Sequence, residues 1–120
     1  MINLLVDEAY AFDYLSILQV KKEKSNLEKD YNAWATCYAF LQKQFDEQKW
    51  SSMIYSIEYK NIVEANNLTF EAVDKAKTNK VTAKYVDYCN YKRYIAKQEF
   101  QKKFFENNLS ESKIGYNKYD

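Results

Sequence analysis

Histidine and proline are absent from the 120-residue sequence, and glycine occurs only once. Without histidine, imidazole catalysis and histidine-bound metal ions are excluded. With one glycine, the chain has neither a phosphate-binding loop nor a dinucleotide-binding fingerprint, since both need several glycines. The only cysteines, Cys37 and Cys89, lie in segments of helical periodicity, and we expect both to be buried and reduced. We therefore expect no metal ion and no other cofactor.

Long apolar runs are also missing. No stretch of about 18 apolar residues occurs, so we expect no membrane-spanning segment and no membrane partner. The N-terminus turns acidic at Asp7 and lacks the basic region of a signal peptide, which favours a cytoplasmic location. Hydrophobic residues make up 47% of the chain, enough for a core, and the length fits a single domain over residues 1–120.

Apolar residues recur with helical spacing through most of the chain. The breaks between the periodic segments are short, which favours antiparallel neighbours. We predict an all-α fold, an elongated antiparallel bundle of three to four helices, with residues 1–6 as an extended arm or edge strand and 107–120 as an extended or disordered tail. The predicted helices cover residues of about 8–24, 26–48, 51–77 and 82–106.

The second predicted helix has the clearest periodicity. Ser25 and Glu28 have the spacing of a capping box at its start. Apolar residues then recur at alternating intervals of four and three, which predicts coiled-coil-like packing against a neighbouring helix. This seam consists of Leu27, Tyr31, Trp34, Tyr38, Leu41 and Phe45. We expect Ser51 or Ser52 to cap the third helix and Thr82 to cap the fourth.

The fourth predicted helix carries Arg93, the only arginine, on the same face as its apolar residues. An unpaired charge in a core costs several kcal/mol, so Arg93 needs a carboxylate or an opening to water. Asp74 and Asp13 are the first choices of partner, and Glu58 is a third. Three interpretations remain open: a buried polar network that fixes helix register, a site for a small anion, or an exposed stripe. The candidate residues are Asp13, Asn66, Asp74, Asn90, Arg93 and Lys97.

The net charge of +1 is unevenly distributed. Residues 1–74 carry 7 lysines and 12 acids, whereas residues 75–103 carry 9 basic residues and 2 acids. The two parts can pair within one chain or between two copies. Alternatively, the basic fourth helix binds nucleic acid or a small anion. Four tyrosines lie among its lysines, as in proteins that stack bases beside phosphate contacts, but their spacing of three makes them spiral around a helix. These are Tyr85, Tyr88, Tyr91 and Tyr94.

Aromatic residues number 21, with 2 Trp, 7 Phe and 12 Tyr. A thin helical bundle of this length does not bury all of them. Tyr88, Tyr91, Ile95 and Phe105 are expected opposite the core face of the fourth helix, and aromatic residues rimmed by lysine are typical of helix–helix interfaces. We therefore expect a non-enzymatic protein that forms a homo-oligomer, a dimer or larger, or binds a partner through its helix faces.

An enzymatic interpretation ranks third. Helical nucleoside-triphosphate pyrophosphohydrolases bind Mg²⁺ through paired acids on neighbouring helices. Glu71 and Asp74 have one such spacing, but the second acidic pair is missing. A ferritin-like di-metal site needs histidine and is excluded.

Two segments resemble a family of small bacterial helical proteins that is catalogued as a domain of unknown function. The run from Asp13 to Lys21 (DYLSILQVK) is similar to that family's DKITILEIK, although the family's preceding Gly-Glu is Tyr-Ala here. The second segment has the spacing NxxRxxxK and a downstream LxExKxxY, over residues 90–97 and 109–116. The resemblance covers about a third of the chain. It implies an all-helical fold whose two ends come together, it brings no known activity, and it singles out Asp13, Lys21, Asn90, Arg93 and Lys97.

Overall fold

A computed structural model describes residues 1–2 and 4–105, and within these residues helix is the only regular secondary structure. The prediction of an all-α fold is confirmed. The helices are α1 (Glu8–Ser25), α2 (Glu28–Gln42), α3 (Glu47–Ile54), α4 (Ile57–Ala76) and α5 (Ala83–Phe104). Helices α1, α4 and α5 pack together, α2 lies on α1, and α3 contacts α4. The predicted tail over 107–120 lies outside the described residues.

The described residues form five helices, not three or four, because two predicted helices are interrupted. The second ends at Gln42, and the Asp46 carboxylate then caps α3 by accepting a hydrogen bond of 2.7 Å from the Lys49 backbone N–H. The third starts six residues later than predicted, because Ser56 is its cap and accepts from the Tyr59 N–H at 2.9 Å. Capping side chains are thus the physical cause of both interruptions.

Of the caps predicted for the second and fourth helices, Ser25 is wrong and Thr82 is confirmed. Ser25 is the last residue of α1, and Asn26 follows in the left-handed region with φ of 55°, so Ser25 does not cap the next helix. Leu27 occupies the cap position of α2 instead. Thr82 caps α5 as predicted, since its hydroxyl accepts a hydrogen bond from the Tyr85 N–H at 3.1 Å.

The core lies where α1, α3, α4 and α5 meet. Phe12 is at its centre with no exposed surface, and its ring centroid is 4.7 Å from that of Phe100 and 5.7 Å from that of Trp50. The pKa of the nearby Tyr59 hydroxyl is raised, chiefly because burial disfavours its charged form. That hydroxyl therefore remains a donor, and it donates to Gln19 Oε1 at 3.1 Å.

The seam predicted on the second helix is only partly a core seam. Leu41 is its one buried member, while Leu27 and Tyr31 are half exposed. Trp34 is partly buried between the Tyr31 and Tyr38 rings, and the Lys22 ammonium lies 4.4 Å from the centre of its indole ring. The reason is that α2 packs mainly against one helix, α1, at the edge of the bundle.

The chain is less elongated than predicted, with principal extents of 44, 36 and 29 Å. At 1.5 Å per residue, the 20 residues of α4 and the 22 residues of α5 are about 30 and 33 Å long, and α4 is shorter than its predicted helix because it begins after the cap Ser56. The described part of the N-terminal arm forms no edge strand. Its apolar side chains are exposed, namely Met1, Ile2, Leu4, Leu5 and Val6.

Candidate functional site

Arg93 forms an ion pair with Asp13 across the helix bundle. Arg93 Nη2 lies 3.2 Å from Asp13 Oδ2, and the two side chains are 24% and 10% exposed, respectively. Helices α1 and α5 run antiparallel, which brings the first third of α1 to the middle of α5. Of the carboxylates considered from the sequence, Asp13 is therefore the partner of Arg93.

The second oxygen of the Asp13 carboxylate is bound from α4. Asn66 Nδ2 donates a hydrogen bond of 2.8 Å to Asp13 Oδ1 and a second one to Ser16 Oγ. Ser16 in turn donates to the backbone carbonyl of Asp13 at 2.7 Å and has no exposed surface. Three helices thus meet at one carboxylate, and each contact requires a defined register between them.

The Arg93 guanidinium has a second hydrogen-bond partner, and one of its nitrogens has none among the described residues. Its Nη1 donates to Asn90 Oδ1 at 3.1 Å, and Asn90 Nδ2 donates to the Val86 carbonyl at 3.3 Å. Its Nε is buried and has no hydrogen-bond partner among the described residues. Because this atom has no contact with solvent, it does not present a donor to a bound ligand.

A cleft of about 320 Å³ opens beside this network, between α1, α4 and α5. Its walls are apolar and its polar lining includes Arg93, Asn66 and Thr69. Asp74 also lines it, but Asp74 is exposed and forms no ion pair with Arg93 within the described part of the chain. Of the charged residues that line the cleft, Lys77 and Asp74 have opposite charges, and the charge of Arg93 is compensated by its ion pair with Asp13, so no uncompensated positive charge is left for an anion.

Lys97 lies beyond Arg93 along α5. Its ammonium group is 4.3 Å from the centre of the Tyr10 ring, one helical turn further along α5. The structure thus brings Asp13, Asn66, Asn90 and Arg93 together, with Asp74 on the same cleft. The sequence reasoning missed Ser16, although its spacing of three from Asp13 places both on one face of α1.

Gln101 is a second buried polar residue that the sequence reasoning missed. Its Oε1 accepts a hydrogen bond of 2.9 Å from the Ala9 N–H, and its Nε2 donates to Glu8 Oε1 at 2.9 Å. It therefore satisfies a free backbone donor at the start of α1, where the first helical N–H groups have no partner within the helix. The position of this glutamine directly after Phe100, near the apolar face of α5, was the only signal.

The opposite side of α4 and α5 forms a second groove, of about 520 Å³. None of α1, α2 and α3 lines it. We call this surface the outer face, and it is lined by Glu58, Asn61, Glu64, Ala65, Leu68, Tyr88, Tyr91, Lys92, Ile95, Ala96 and Glu99. Three helix-borne carboxylates rim it, but within the described residues no group of three acidic, cysteine or histidine side chains is placed to hold a metal ion.

The four tyrosines of α5 differ in exposure. Tyr85 and Tyr88 are both 38% exposed, whereas Tyr91 and Tyr94 are partly buried. The Lys92 ammonium lies 5.4 Å from the centre of the Tyr88 ring. The rings do not share one exposed side of the helix, so they offer no continuous platform for stacked bases.

Both cysteines carry free thiols. Cys89 is buried, as expected, whereas Cys37 is only partly buried. Burial raises the pKa of the Cys37 thiol, which keeps it protonated and weakly nucleophilic at neutral pH. Among the described helices, none is sufficiently long and apolar to span a membrane.

Comparison of the chain with protein-family models, with curated proteins and with solved structures finds no match. The resemblance of two segments to a family of uncharacterised helical proteins therefore stays a prediction. Of the residues that it singles out, Asp13, Asn90 and Arg93 lie in one network.

Proposed function

We propose that the protein acts by helix-face association, foremost with a second copy of itself. The observation that carries this proposal is the number of large apolar side chains that stay exposed on the helices. They lie on four helices and at the start of α2, and they include Tyr14, Leu27, Tyr31, Phe40, Ile57, Phe70, Val73, Tyr85, Tyr88 and Ile95. Burial of such surface is the main driving force of association.

The Arg93 network has a structural role in this proposal. Its charge is compensated within the chain, its hydrogen bonds join α1, α4 and α5, and its free donor is closed off from solvent. Such a network favours one register of the helices over alternatives. It keeps the faces of α4 and α5 in the arrangement that a partner requires.

We expect a dimer or larger assembly at micromolar concentrations. Sedimentation velocity or light scattering over about 1–100 μM should show a mass of at least twice the 14.4 kDa of the chain, because dimers with standard interfaces commonly have affinities in or below this range. A mass near 14.4 kDa across the whole range would contradict the proposal.

A second candidate function is binding of nucleic acid or a small anion through α5. It is favoured by the charge excess of residues 75–103 and by Lys84, Lys102 and Lys103, which are exposed and form no ion pair with described residues. Retention on heparin or single-stranded DNA, lost steeply between 50 and 200 mM salt, would support it. The third possibility is magnesium-dependent pyrophosphate release from nucleotides. It lacks support because, among the described residues, Glu71 and Asp74 belong to no group of three acidic side chains that could hold a metal ion.

A further inference from the structure

The exposed side of α5 carries a regular stripe of its own. Tyr88, Lys92, Ile95 and Glu99 follow one another at intervals of four, three and four, and all are exposed. This alternation is the spacing of a helix–helix seam. The stripe lies along the outer face, on the side of α5 away from the core residue Phe100.

Opposite charges flank Ile95 in this stripe. Lys92 lies three residues before Ile95 and Glu99 four residues after it, about 4.5 and 6 Å along the helix axis. Neither side chain forms an ion pair with a described residue. Two copies of the stripe that run in opposite directions, aligned at Ile95, therefore place Lys92 of one copy near Glu99 of the other. The two side chains differ in height along the helix axis by the rise of about one residue.

We propose that a second copy of the chain packs antiparallel on this stripe, around a two-fold axis beside Ile95. Lys92 of each copy then lies opposite Glu99 of the other, and the two Ile95 side chains meet at the centre. A two-fold interface uses the same patch on both subunits, which a self-complementary patch satisfies. This inference rests on the proposed self-association and specifies its surface.

The same pattern argues for a second copy over another kind of partner. In a parallel arrangement the two copies would place Lys92 against Lys92 and Glu99 against Glu99, and like charges in an interface oppose association. A polyanion such as nucleic acid would face Glu58, Glu64 and Glu99 without a positive charge to offer them, whereas a second copy brings Lys92 to Glu99. The antiparallel copy is the occupant that pairs both charges of the stripe.

Charge reversal provides the test. Lys92→Glu leaves two acids on the stripe and Glu99→Lys leaves two bases, so each variant alone should weaken self-association at least fivefold at 50 mM salt, where charge effects are least screened. The double variant Lys92→Glu/Glu99→Lys restores the complementarity and should associate within about threefold of the wild type. A mixture of the two single variants should form a heterodimer, measured by sedimentation and native mass spectrometry.

Lys29→Glu on α2 is the matched control, since it makes the same charge change at an exposed lysine outside the outer face. It should leave the dissociation constant unchanged, and circular dichroism should show equal helix content in all variants. If the wild type is a dimer and none of the charge reversals weakens it, the proposed interface is wrong and self-association through another surface remains. The same conclusion follows if a mixture of the two single variants forms no heterodimer. A monomeric wild type would overturn both proposals.

Discussion

Phe12→Ala is expected to lower the free energy of unfolding by about 3–5 kcal/mol, the usual cost of removing a buried phenylalanine ring. Phe12 has no exposed surface, and its ring is within 6.2 Å, centroid to centroid, of four other aromatic rings. These rings come from α3, α4, α5 and the turn before α3, so the resulting cavity loosens several elements at once. Urea unfolding followed by circular dichroism measures the loss.

Trp34→Ala is the control for this prediction, because it removes a larger aromatic side chain from a partly buried position. We expect a loss of about 1–2 kcal/mol, below the range for core aromatics, since Trp34 lies at the edge of the bundle. Equal losses for the two variants would mean that α2 is packed as centrally as its periodic sequence suggests. A loss below about 1 kcal/mol for Phe12→Ala would contradict the aromatic core.

The helical fold was predictable from the apolar periodicity of the sequence. The helix boundaries that differ from the prediction lie at capping side chains, which are also local features of the sequence. Thr82 is predicted as a cap and is one, whereas Asp46 and Ser56 lie inside the second and third predicted helices, over 26–48 and 51–77, and are not predicted as caps. At these two positions, a capping side chain favours the start of a new helix, whereas the apolar pattern favours one continuous helix. A carboxylate that accepts the Lys49 N–H, or a hydroxyl that accepts the Tyr59 N–H, ends the uninterrupted helix that the apolar pattern alone would favour.

Most residues of the Arg93 network were predictable from the sequence, but which of them contact one another was not. A single arginine on an apolar face signals a buried partner, and Asp13 and Asn66 are among the candidate residues that the sequence predicts. The choice between Asp13 and Asp74 depends on how α1 and α5 lie against each other, which is set by side-chain packing between helices and has no local signal. The contacts of Ser16 and Gln101 depend on the same geometry.

Arg93→Met is expected to lower the free energy of unfolding by about 3–5 kcal/mol, because it leaves the mostly buried Asp13 carboxylate without its countercharge. Methionine keeps much of the volume of the aliphatic chain, so the loss reports mainly on charge. Lys84→Met, which removes one charge from an exposed position of the same helix, should change stability by less than about 0.5 kcal/mol.

The double variant Asp13→Asn/Arg93→Met distinguishes a paired network from an anion site. If the two charges stabilise each other, removing both should restore most of the loss, giving a coupling energy of about 2–3 kcal/mol in a double-mutant cycle. An anion site behaves differently, because Arg93→Met would then cost little stability. Added phosphate or sulfate would also raise the melting temperature of the wild type and not of the variant. Additive losses from the two single variants would show that the 3.2 Å contact between Arg93 and Asp13 contributes nothing to stability.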